Sequence, residues 1–81
     1  MAEYVFDTGV DANVSRGEDA IDFGDDGQAI AEAIRTLGAM AKDELRPGVT
    51  RIFVTVRGRD GRQVYHSELT FSEDRLSYPK Q

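Results

Sequence analysis

The chain of 81 residues carries 40 % hydrophobic and 31 % charged residues, a net charge of −5 and no cysteine. That length supports one domain with one core, of the kind that buries only about 60 % of the surface its unfolded chain exposes. The composition excludes a disordered, collagen-like or coiled-coil chain, and the missing cysteines exclude disulfides and thiolate-bound zinc or iron–sulfur centres.

Residues 1–7 show no basic start followed by a long apolar stretch, and no window approaches the ~18 apolar residues of a membrane span. A soluble cytoplasmic protein with no membrane partner is expected. Within that segment Tyr4-Val5-Phe6 is rich in β-favouring residues and stops at the turn-forming Asp7-Thr8-Gly9, which predicts a first strand. Residues 9–19 combine two glycines with Asp, Asn and Ser and read as a loop. In Ala20-Ile21-Asp22-Phe23, Ile21 and Phe23 share one side, so a short second strand returns beside the first. A helix follows over 26–45. Asp25 and Gln28 are spaced as a capping box, Pro47-Gly48 supplies the stop, and Ile30, Ala33, Ile34, Leu37, Ala41 and Leu45 fall in one stripe. Glu32, Arg35, Ala39, Lys42 and Asp43 take the opposite side.

Thr50 to Phe71 reads as a β-hairpin about Asp60-Gly61, a pair suited to positive φ. If Arg59 pairs with Arg62, Val56 faces Tyr65, Val54 faces Ser67, Ile52 faces Leu69 and Thr50 faces Phe71. That side is mostly apolar and forms the bed for the helix. Arg51, Phe53, Thr55, Arg57, Val64, His66, Glu68 and Thr70 take the other, largely polar side. The expected fold is α+β, ββαββ, with an antiparallel sheet of about four strands and one helix across one face. Residues 1–72 make a single domain, and 73–81 a frayed tail.

The run Tyr4-Val5-Phe6-Asp7, then Asp22-Phe23, a helix of the Gln28-Ala29-Ile30-Ala31-Glu32-Ala33 type ending Ala41-Lys42-Asp43-Glu44-Leu45, and Ile52-Phe53-Val54-Thr55-Val56-Arg57 before Asp60-Gly61, resembles an uncharacterised family of small alphaproteobacterial proteins, a domain of unknown function with a ββαββ pattern. The likeness spans residues 4–71. It departs at Gly58-Arg59, where such proteins more often carry acidic or amide residues. It implies an architecture and no activity.

Charge is unevenly placed. Residues 1–45 hold 11 acids and 3 bases, whereas residues 46–66 hold five arginines, Arg46, Arg51, Arg57, Arg59 and Arg62, against Asp60 alone. The whole molecule repels nucleic acid, and complementary packing of the two halves accounts for the pattern.

Four constellations invite chemistry. Asp11, Asn13, Ser15, Asp19 and Asp22 stand at calcium-loop spacing, but Arg16 occupies the position that needs glycine and Asp22 that of the longer Glu, so a solvated connector is the better reading. Gly24-Asp25-Asp26-Gly27 begins a helix where anions bind, yet its two carboxylates already hold that end and act as caps. His66 and Ser67 point to opposite faces of a strand, which rules out a nucleophile–base contact, while His66 and Glu68 share a face and make an acid–base pair conceivable. The open face, with Phe53 and Val64 among Arg51, Arg57, His66 and Glu68, has the composition of an interface hot spot.

The leading expectation is a protein-interaction or regulatory module, not an enzyme, with no metal, cofactor or catalytic residue. Its open face or an edge strand receives a protein partner or a second copy, and Arg51, Phe53, Arg57 and His66 are the partner-binding candidates. A single-stranded RNA-binding module on the same face is the alternative, and a small enzyme using His66 and Glu68 comes third.

Overall fold

A computed structural model describes residues 2–76. The elements run β1 (Ala2–Val10), β2 (Asn13–Ser15), β3 (Ile21–Phe23), α1 (Asp26–Glu44), β4 (Arg51–Gly58) and β5 (Gln63–Thr70). All pairings are antiparallel, in the order β2-β1-β4-β5, with β3 also on β1. β2 and β3 share one flank of β1: β2 lies against Thr8–Val10 and β3 against Ala2–Tyr4. The fold is α+β as expected, with one helix on an antiparallel sheet of five strands.

The first strand continues past Phe6 to Val10, and the stretch 9–19 contains the short strand β2. Asp11 makes this possible. It adopts φ 53°, which Asp tolerates better than most residues, and its carboxylate Oδ1 accepts from the Thr50 N–H (3.0 Å), the Thr50 hydroxyl (2.9 Å) and the Arg51 N–H (3.0 Å). The turn from β1 to β2 is thereby tied to the start of β4. These hydrogen bonds, those from Thr50 foremost, hold the Asp11 carboxyl below its usual range.

The helix begins as its cap predicts. Asp25 accepts from the Gln28 N–H at 2.9 Å, and the Gln28 side chain reaches back to the Gly24 N–H, also at 2.9 Å, one residue beyond the cap itself. It ends at Glu44, one residue short of the expected Leu45, whose N–H donates to the Ala41 carbonyl. The buried line is Ala29, Ala33 and Leu37. Ile34, assigned to the buried stripe by periodicity, is 55 % exposed. The reason is the small size of Ala29 and Ala33: they lower the helix onto Ile52, Val54 and Val56 of β4, all fully buried, and Ile34 is left on the flank. In a right-handed helix running alongside β1, that flank faces β5, the outermost strand.

The hairpin register holds from Ile52 to Val56: Val56 faces Tyr65, Val54 faces Ser67 and Ile52 faces Leu69. Its turn differs from the one expected. Gly58, not Arg59, pairs with Arg62, donating its N–H to the Arg62 carbonyl at 2.8 Å, so the loop is the three residues Arg59-Asp60-Gly61 with Gly61 at φ 90°. A three-residue loop with glycine in this region brings a bulge, and the ladder slips between Val56 and Arg57. Val64, expected on the open face, falls at that slip and packs against the core. Beyond β5, the Glu73 carboxylate accepts from the Gly48 N–H at 3.0 Å. Of the tail expected over 73–81, residues 77–81 lie outside those described.

Candidate functional site

Alternation along the strands decides what the sheet face away from α1 displays. Tyr4, Phe6 and Val10 of β1 belong to the helix side, where the Tyr4 hydroxyl donates to Asp26 and is pushed up to about 12 by that carboxylate. Glu3, Val5, Asp7 and Gly9 therefore turn to the open face. Beside them stand Arg51, Phe53, Thr55 and Arg57 of β4, then His66, Glu68 and Thr70 of β5.

Two connected groups organise this surface. In the first, Arg57 grips Asp7 with both arms, Nε to Oδ2 at 2.7 Å and a terminal nitrogen to Oδ1 at 3.0 Å, and the Gly17 N–H adds 2.8 Å to Oδ1. Asp7 is only 7 % exposed, and the Arg57 hydrogen bonds, aided by Gly17, hold its carboxyl below the usual range despite burial. Asp7 in turn raises the Arg57 guanidinium.

The second group runs across the hairpin. The Thr55 hydroxyl lies 2.8 Å from His66 Nδ1, His66 Nε2 lies 2.9 Å from Glu68 Oε1, and the same oxygen accepts from Arg51 Nε at 3.1 Å. A neutral imidazole with its proton on Nε2 satisfies every member, accepting from Thr55 and donating to Glu68. The hydrogen bond from His66, followed by that from Arg51, lowers the Glu68 carboxyl. The Arg51 guanidinium caps the Phe53 ring at 4.4 Å, and the His66 ring lies 5.6 Å from it at an interplanar angle of 32°.

The structure thus brings Arg51, Phe53 and His66 into one cluster and places Arg57 in a separate pair with Asp7. Phe53 is not the exposed aromatic expected: it is 8 % exposed, covered by Arg51 and seated over Gly9 of β1. The arginines are likewise engaged by acids of their own chain. Asp7 and Thr55, which complete the two groups, were not among the candidates singled out by composition. The signal for Asp7 was present in its alternation with Glu3 and Val5, which aims it at the arginines of β4.

His66 and Ser67 take opposite faces, as the strand periodicity requires. The Ser67 hydroxyl on the helix side is fully buried, and among the described residues it has no hydrogen-bond partner. The calcium-spaced residues do not converge. Asp11 bonds to β4, Asn13 and Ser15 lie on β2, and Asp22 stands opposite Glu3; among the described residues no three or more acidic or histidine side chains gather as ligands. A cleft of about 330 Å³ opens between the end of α1 and the β1–β2 hairpin, lined by Thr8, Val10, Met40, Glu44 and Arg46 among others.

The sheet's two margins are unlike. One is divided between β2 and β3, each of three residues. The other is β5, eight residues long and, among the described residues, paired on one side only. Phe71 donates its N–H to Thr50 at 2.7 Å, so Leu69, Ser67 and Tyr65 also bond towards β4, and the peptide groups of His66, Glu68 and Thr70 point outward.

A helix-backed antiparallel sheet with an internally ion-paired open face and one long free margin defines a small α+β domain. No helix among the described residues is long and apolar enough to cross a membrane. The chain belongs to the family described as Domain of unknown function (DUF6894), whose model matches residues 4–70. Neither a curated protein nor a solved structure matches it.

Proposed function

We propose that this protein is a protein-interaction module that receives a β-strand of a protein partner along β5. The observation that supports this reading is the row of peptide groups at His66, Glu68 and Thr70 that is unpaired among the described residues, on a continuous eight-residue margin. Sheet margins of this kind accept added strands unless they are shortened, covered, or broken by proline or lysine. The β2–β3 margin is broken in that way, whereas β5 carries neither proline nor lysine. The ion-paired open face favours the margin over the face as the receiving surface, because its arginines already hold carboxylates. Arg51, next to β5, and His66, on it, supply contacts to the incoming chain, while Phe53 and Arg57 fix the surface from which they project.

The test is capture of partners from the native cell lysate with wild type, His66→Pro and His66→Ala in parallel. Proline removes an outward N–H and leaves the β4 ladder intact, whereas alanine removes only the side chain. Specific binding weakened but kept by His66→Ala and lost by His66→Pro supports strand addition. Equal binding by wild type and His66→Pro refutes it.

A further inference from the structure

We infer that the strand β5 receives is β5 of a second copy of this chain, paired antiparallel about a two-fold axis through Ser67. This rests on the margin reading above and specifies the partner and the register.

The faces of the strand limit the choices first. A pairing offset by one residue would oppose the helix side of one copy to the open side of the other, so the axis must pass through a residue. Passing it through His66 sets two histidines opposite each other, and through Glu68 two carboxylates, which repel at that distance. Passing it through Ser67 sets His66 opposite Glu68 of the second copy, and the reverse. These are the residues whose peptide groups point outward, so both pairs close as hydrogen-bonded pairs of the ladder.

Ser67 supplies an independent observation. Its hydroxyl is buried without a partner, a state that costs free energy in a folded chain. On the axis, Ser67 and its copy form a non-hydrogen-bonded pair with Cα atoms about 4.5 Å apart, close enough for the two hydroxyls to bond to each other after rotation about χ1. The one buried side-chain group left unsatisfied among the described residues thus falls where two copies satisfy each other.

The apolar surface agrees. Tyr65 comes opposite Leu69 of the second copy on the helix side. The two helices stand on the same face of one continuous sheet, about 14 Å apart at three strand spacings. Leu69, 43 % exposed, and Ile34, 55 % exposed on the flank of α1 that faces β5, line the groove between them. Two residues left partly in water by the single chain become the filling of a seam.

The chain has no cysteine, so a single introduced thiol reports only contacts between copies. Ser67→Cys, nearly isosteric, is compared with Leu69→Cys, whose thiols would lie four residues apart along the seam, about 13 Å. Under mild oxidation Ser67→Cys should cross-link at least tenfold faster, and sedimentation should show wild type dimerising with concentration while His66→Pro stays monomeric. Equal cross-linking rates, or a wild type that remains monomeric, overturns the self-pairing. If wild type is monomeric but a different protein still binds in a manner lost in His66→Pro, only the second copy is wrong. If His66→Pro changes no binding at all, the margin reading falls with it.

Discussion

The Phe53 ring lies over the backbone of Gly9 on the neighbouring strand, in the space a side chain at position 9 would fill. A Cβ built on Gly9 would stand 2.9 Å from the ring's Cδ2 and closer still to Cε2 and Cζ. Gly9 and Phe53 are direct cross-strand partners, so the aromatic ring restores the packing that glycine forfeits in a strand. Gly9→Val should cost about 2 kcal/mol by overpacking, read as a lower urea midpoint at unchanged slope. Combining it with Phe53→Leu should cost less than the sum of the two single changes, because they share one space.

The helix side of the sheet responds to truncation in a graded way. Ile52 is fully buried at the centre of the core, and Ile52→Ala should cost about 3 kcal/mol. Ile34→Ser, on an exposed flank, should change the stability of the single chain by no more than about 0.5 kcal/mol. Denaturation of dilute samples separates the two. An equal loss at both positions would mean that the buried line of α1 passes through Ile34.

The pH response follows from three carboxyls held below their usual range, Asp7, Asp11 and Glu68. A group whose folded pKa is depressed contributes stability that is present above its unfolded value and lost as pH falls through the folded one. Stability should therefore change little between pH 7 and about pH 5 and decline below about pH 4. The fall should be shallower in Asp7→Asn, which is less stable at neutral pH but has one fewer depressed carboxyl to protonate. Thermal melts across that range measure both the level and the slope.

Asp11 combines a left-handed backbone with three accepted hydrogen bonds, so its substitutions should rank by chemistry. Asn keeps the tolerance for φ 53° and one acceptor oxygen, and should be the mildest change. Ala loses both and should lower the melting temperature further, and Val, branched at Cβ, further still.

The parts of the fold that rest on simple periodicities were readable from the chain. Alternation from Thr50 to Phe71 placed Ile52, Val54 and Val56 against the helix and fixed their partners at Leu69, Ser67 and Tyr65. What could not be read depended on partners distant in sequence. The extension of β1 through Thr8-Gly9-Val10 requires Phe53 to cover Gly9 and Asp11 to be held by Thr50, some 40 residues away. Ile34 fits the apolar stripe as well as Ala33 does, and only the close approach allowed by two alanines decides which is buried. The open face was legible as a set of residues, Arg51, Phe53, Arg57 and His66. Its internal pairing was not, because Asp7 and Arg57 meet only once β1 lies beside β4.

Amide hydrogen exchange along β5, followed against protein concentration, probes the free margin most directly. The N–H groups of Tyr65, Ser67 and Leu69, which bond to β4, should be protected at every concentration. Those of His66 and Glu68 should exchange freely in dilute solution and slow about twofold or more at about 1 mM, where a pair of millimolar affinity is already about half formed. His66 and Glu68 amides that exchange as fast at 1 mM as in dilute solution would contradict pairing along β5 between copies.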